Sequence, residues 1–337
     1  MLILEAAKAY ENLKNGIFDR TFRVPSKQEP GYTNGCLLPK VKPKFWLAEK
    51  EKIFTIGSCF AREIEGELVS NGFDIPVSRF TIHPGELPYA APHLLNEYNA
   101  GTLLQRLESV FDHFVYQEDM GIEETPEGYI DLFLHIHGAP VTKERLLERR
   151  KQIDTLYKEI KSSSALIITL GLVECWYDSA LKCYVNKAPS VQLALREPGR
   201  YYFHRMDVEN VFARLSRAIE LINQSGEKKI LVTVSPVPLE ATFTGNNAIM
   251  ANSYSKSVLR IVAENLKEKF DNVDYFPSFE IAISGGLTHY AADNIHLQHH
   301  LAKMTTDHML DNYYFSRNED QGQSAFSPHY VDLEYRA

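Results

Sequence analysis

Short apolar runs that stop at a glycine or a serine constrain the fold of this chain more than any other feature. Residues 53–56 run Ile-Phe-Thr-Ile into Gly57, Ala165–Leu170 ends at Gly171, and Lys229–Val234 ends at Ser235. Such runs read as strands buried on both faces, the pattern of a parallel sheet. Helical periodicity lies between and after them, at about 59–70, 94–111, 142–162, 207–223, 250–270 and 299–313. Further strands are expected at 75–80, 129–136 and 273–276. Parallel strands need long crossovers, so this alternation implies an α/β fold with a mostly parallel sheet covered by helices on both faces. Ligands of such sheets bind at the carboxyl ends of the strands. Ser58, Gly171 and Ser235 therefore gather on one edge.

The remaining segments are less regular. Residues 1–45 carry recurrent proline and glycine and read as an N-terminal arm wrapping a surface rather than building a core. Residues 46–316 form the main domain. Within it, 172–205 lacks helical period and is expected to be an insertion containing a hairpin. Residues 317–337 are a polar tail. A chain of 337 residues with 44% hydrophobic and 24% charged residues has material for an ordinary core. A net charge of −8 argues against general nucleic-acid binding. No run approaches the ~18 apolar residues of a membrane span. The first residues turn polar at once, unlike a signal peptide, so a cytoplasmic location is expected. None of the four cysteines forms a C-x-x-C pair, and no cofactor is expected.

Chemistry concentrates at Gly57-Ser58-Cys59-Phe60-Ala61. A serine at a strand-to-helix turn sits beside the unsatisfied N–H groups of a helix start, which favour developing negative charge. The same position suits an ordinary helix cap. A serine nucleophile needs a base and a group that orients the base. Asp293-Asn294-Ile295-His296 offers both within one short turn, although that spacing also arises by chance in surface turns. Cys59 is a rival nucleophile, or a core thiol. His135 and His137 share a strand face and are a weak metal pair. His299, His300, Asp112, His113, Glu123 and Glu124 read as solvated surface or loop.

Residues 54–65, Phe-Thr-Ile-Gly-Ser-Cys-Phe-Ala-Arg-Glu-Ile-Glu, strongly resemble the signature of the GSCFA family, grouped with the SGNH (GDSL-like) hydrolases. Asn96–Thr102, Thr169–Trp176, Val234–Phe243 and Ala251–Lys256 also look like family blocks, so the resemblance spans roughly 45–300. It implies a flavodoxin-like three-layer α/β/α sandwich. It further implies a Ser58, Asp293, His296 triad, with the oxyanion hole formed by the N–H groups of Ser58 and Gly101. The third block should read G-x-N-D but here reads Gly171-Leu172-Val173-Glu174. Valine cannot donate a hydrogen bond, so another group, such as Asn252 or a backbone N–H, would have to replace the asparagine. Glu174 becomes a substrate-site residue, and Trp176 a stacking surface for a sugar or a structural side chain.

The expected activity is an esterase or O-acyltransferase acting on an acylated small molecule or glycan through a Ser58 acyl-enzyme. Cytosolic work would favour transfer or editing during polysaccharide assembly. The alternative is a non-catalytic carbohydrate-binding module on a hydrolase fold.

Overall fold

The arm supplies the first elements: helix α1 (Ala6–Phe18) and a hairpin of β1 (Tyr32–Thr33) and β2 (Cys36–Leu37). The computed structural model describes residues 1–19, 21–83, 86, 91–135 and 139–314. Past the hairpin the arm is sewn to the C-terminal part of the chain. Val41 N–H donates to Asn312 Oδ1 (3.2 Å) and Lys44 N–H to Asp274 Oδ2 (2.9 Å). Cys36 is fully buried in the main core, so this segment contributes to it. The expected tail, 317–337, lies outside the described residues.

Strand β3 (Ile53–Gly57) leads into α2 (Phe60–Ser70). The strand expected at 75–80 is instead a 3-10 turn, Pro76–Arg79. The chain does run beside β3 at Asp74, whose carbonyl accepts from Ile53 N–H (2.9 Å). Pro76 then ends the pairing, because it has no N–H and a fixed φ. Helix α3 (Ala100–Val110) is capped by the Asn99 side chain. A hairpin, β4 (Ile122–Thr125) and β5 (Gly128–Asp131), replaces the longer strand expected at 129–136. Helix α4 (Lys143–Tyr157) starts at a Thr142 cap and tightens into a 3-10 turn, Lys158–Ser162.

Strand β6 (Ala165–Leu170) is buried along its whole length. Next come β7 (Glu174–Asp178), β8 (Cys183–Val185), α5 (Val191–Arg196) and β9 (Tyr201–Arg205). These three strands make an antiparallel sheet in the order β8-β7-β9. Helix α6 (Val208–Asn223), capped by Asp207, precedes β10 (Lys229–Val234). Then come α7 (Ala248–Lys269), β11 (Val273–Phe276), α8 (Ser278–Gly285) and α9 (His299–Tyr313).

The central sheet runs β3-β6-β10-β11, all parallel and in chain order. Right-handed crossovers that always step the same way put their helices on one face. Accordingly α6 packs against α3 and α7, while α9 packs against α2 and α8 on the opposite side. The result is an α/β/α sandwich whose middle layer includes Leu166, Ile167, Ile168 and Leu170, all at most 4% exposed. No helix among the described residues is long and apolar enough to cross a membrane.

Candidate active site

Ser58 sits at the carboxyl end of β3, one residue before the α2 N-cap. Gly57 makes the turn: its φ is +135°, and a Cβ there would stand 2.1 Å from the Thr169 carbonyl oxygen. Only glycine fits both demands. The Ser58 N–H donates to the Thr169 carbonyl (3.1 Å) and to Thr169 Oγ1 (2.9 Å), while Ser58 Oγ lies 3.3 Å from the same hydroxyl. Ser58 is 1% exposed. Segment 96–98 closes over the strand end, with Glu97 N–H on the Gly57 carbonyl (2.8 Å).

The Asp293–His296 segment is a tight closed turn. Asn294 adopts φ +57°, which asparagine tolerates. Ala291 N–H reaches the His296 carbonyl (2.8 Å). Asp293 Oδ1 accepts from the N–H groups of Ile295 (2.9 Å) and His296 (3.0 Å), and Oδ2 lies 2.7 Å from His296 Nδ1. The His296 imidazole, joined by these backbone donors, holds the Asp293 carboxyl down at about 2. The turn is anchored at the same sheet edge as Ser58. Tyr290, which pairs with Leu297 across its base, donates its hydroxyl to the carbonyl of Pro236, just beyond β10 (3.1 Å). His93, from the 3-10 turn before Asn96, lies in the field of both His296 and Arg62; burial and then those charges lower its pKa. The structure thus brings Asp293 and His296 together. Ser58 Oγ has Thr169, not His296, as its partner among the described residues.

Gly101 packs against the face of Tyr184, where a Cβ would come within 2.6 Å of the ring. Its N–H donates to Asn99 Oδ1 (3.0 Å). Both N–H groups expected in the oxyanion hole, those of Ser58 and Gly101, therefore have protein acceptors. Val173 is buried in the core. The backbone around it is pinned by Leu172 N–H on the Tyr98 carbonyl (2.7 Å) and by Val173 N–H on Ser255 Oγ (3.2 Å).

The expected substrate residues turn out to organise the loop after β10. Glu174 Oε1 accepts from Thr242 Oγ1 (2.6 Å). Asn252 Oδ1 accepts from Leu239 N–H (3.0 Å). Trp176 packs edge-on against Phe203 (5.6 Å) and Phe243 (5.0 Å), and Phe243 is 60% exposed. Glu174 also accepts from Phe243 N–H (3.4 Å), so the loop after β10 is tied to β7 beside this aromatic cluster.

Other candidates have local roles. Cys59 is less buried than Ser58, and burial raises its thiol pKa despite the nearby Tyr98 hydroxyl and Lys256 charge. All four cysteines are free. His135 Nδ1 lies 3.1 Å from the Asn186 carbonyl and its ring packs on Tyr98, while His137 lies outside the described residues. His300 Nε2 meets His289 Nδ1 at 3.2 Å. Glu123 is not in a solvated loop but buried in β4, where it accepts from Ser190 N–H (3.2 Å). Among the described residues no three His, Cys, Asp or Glu side chains are grouped to hold a metal.

Sequence reasoning passed over Thr169, His93 and Lys256. Lys256 had a readable signal: it stands one residue from Ser255 and three before Leu259 on the buried stripe of α7. Thr169 and His93 carry no such signal, since only the folded edge brings them near Ser58 and His296.

The GSCFA family model matches residues 52–309. No curated protein matches the chain. Among solved structures it is similar to an acetyl xylan esterase, at 12% identity and a TM-score of 0.32, covering 77% of this chain and 98% of the other. It is also similar to a variant of an acetyl-xylooligosaccharide esterase from Geobacillus Stearmophilus, at 12% identity and a TM-score of 0.35, covering 80% of this chain and 97% of the other.

Proposed function

The chain belongs to the GSCFA family, and from that premise we propose that it is a serine-dependent ester hydrolase or O-acyltransferase acting on an acylated carbohydrate. Ser58 is the nucleophile, His296 the general base and Asp293 the group that orients it. The observation that carries the reading is the Asp293–His296 pair: the carboxylate takes Nδ1 at 2.7 Å, which leaves Nε2 to face a nucleophile. Its anchor on Pro236 supports a position above the same strand ends as Ser58.

In this mechanism Ser58 Oγ leaves Thr169 Oγ1 and gives its proton to His296 Nε2 as it attacks the ester carbonyl. The Oγ–C bond forms, the bond from carbon to the sugar oxygen breaks, and the imidazolium protonates the departing alkoxide. Water, or a second sugar hydroxyl, then attacks the acyl-Ser58 with His296 again as base, releasing the free serine. Catalytic hydrogen bonds absent from a free enzyme commonly form only with substrate bound. The start of α2, with the positive end of its backbone dipole beside Ser58, favours the oxyanion. The rim of Trp176, Phe203 and exposed Phe243 offers apolar faces to a sugar ring.

The commitment of both the Ser58 and the Gly101 N–H to protein acceptors favours a second reading, a carbohydrate-binding module without turnover. Aryl acetates, incubated with and without acceptor sugars, separate the possibilities. Release of aryl alcohol that disappears in Ser58→Ala supports the enzyme, and acylated sugar in the presence of acceptor identifies transfer. No release from a folded protein that still binds glycan supports the module.

A further inference from the structure

Lys256 is a lysine in the wrong place for stability. It projects from the core-facing side of α7, is 1% exposed, and donates from Nζ to the Gly171 carbonyl at 2.9 Å. Among the described residues no carboxylate pairs with it, and the titratable neighbour it feels is the Cys59 thiol at the start of α2, beside the Tyr98 hydroxyl. An ammonium carries three donors, and this one has a single hydrogen-bond acceptor among the described residues. A buried charge without a counter-ion destabilises a fold, and an apolar side chain of the same shape would remove that cost.

What the amine touches explains it better. Gly171 lies directly against the nucleophile, since a Cβ on it would come within 3.2 Å of Ser58 Cβ. Lys256 and its neighbour Ser255 together grip the backbone of 171–173 from the helix side, and the Tyr98 carbonyl grips it from the other. This is the stretch where Val173 stands in place of the expected asparagine.

We propose that Lys256 is a positioning residue of the Ser58 site, fixing the Gly171 carbonyl beneath Ser58 and supplying there the positive charge that Val173 cannot. In a dry interior such a charge acts over several ångströms on the negative charge developing at the ester carbonyl oxygen. Burial brings the amine down to about 7, with Cys59 opposing the shift, so it responds to a new anion beside it. The inference rests on the reading of Ser58 as nucleophile.

The test compares wild type, Lys256→Met and Ser58→Ala by aryl acetate kinetics and thermal unfolding. Lys256→Met is expected to be at least as stable as wild type, yet to lose kcat on the order of 100-fold with KM changed less than about threefold. A lysine that merely holds the fold together gives the reverse, lower stability with full kcat per folded molecule, and that result overturns the proposal. A second measurement needs no variant. The Lys256 Cε resonance is titrated in wild-type protein before and after an aryl phosphonate is attached at Ser58. The midpoint is expected to rise by about one unit, and an unmoved midpoint overturns the proposal. Full turnover by Ser58→Ala removes the nucleophile reading and this inference together. An inactive Ser58→Ala with a fully active Lys256→Met removes this inference alone.

Discussion

At the scale of single residues, the site rests on a few that tolerate no substitute. Gly57 combines φ +135° with close approach to Thr169, so Gly57→Ala is expected to destabilise the protein by about 3 kcal/mol, read from urea denaturation. Asp293 holds the imidazole by its Nδ1. Asp293→Asn is expected to lower kcat about a thousandfold while leaving the unfolding midpoint within a degree or two, because the turn is exposed. Equal loss of both would contradict an orienting role. That Asp293 meets His296 was legible in the sequence because their spacing is local, and the strand-to-helix turn at Ser58 because an apolar run ends there; their joint role as a triad is part of the proposal. The partners that decide the chemistry were less legible. Thr169 is a threonine in an otherwise aliphatic strand, and nothing in its own neighbourhood says that its hydroxyl meets Ser58 Oγ. Gly101 reads in the sequence as an oxyanion donor, yet Asn99 takes its N–H as a helix cap.

At the scale of elements, the loop after β10 is the part most open to tuning. Thr242 and Phe243 hang on Glu174, and Leu239 on Asn252. Glu174→Ala is expected to release the loop and scatter the aromatic rim. KM for a glycan ester then rises several-fold, while kcat on a small aryl acetate stays within about twofold. A glutamate that touched the reacting ester would instead lower kcat on both. The helices and their caps were readable because periodicity and capping are local; Thr142 and Asp207 begin α4 and α6 as their side chains predict. The strand expected at 75–80 was not. Its apolar residues do face the core, but Pro76 removes the donor that pairing with β3 would need.

At the scale of the whole molecule, a four-stranded sheet in chain order ends β3 just before Ser58, and the Asp293–His296 turn is tied to Pro236 just beyond β10 of the same sheet. Ile168, in the middle of β6, is 2% exposed, and Ile168→Ala is expected to cost about 2–5 kcal/mol. Lys256 makes stability depend on pH in a definite direction. Its pKa in the folded protein, about 7, lies below that of the unfolded chain. Between those values the unfolded state binds the extra proton, so stability rises with pH through that window. Below pH 7 both states are protonated and the cost of the buried charge is at its full size. The stability advantage of Lys256→Met over wild type is therefore expected to be largest below pH 7 and to fade toward pH 10, as measured by urea denaturation at several pH values. An advantage independent of pH would mean that the lysine keeps its proton in the fold as readily as in the unfolded chain, which contradicts the lowered pKa.

The central claim is that Ser58 becomes covalently acylated. The direct measurement is peptide mass spectrometry after reaction with an aryl phosphonate ester, run on wild type, Ser58→Ala, Cys59→Ala and His296→Ala. The account predicts one adduct on Ser58, absent from Ser58→Ala, retained in Cys59→Ala and formed far more slowly in His296→Ala. An adduct on Cys59, or labelling that survives Ser58→Ala, would contradict it.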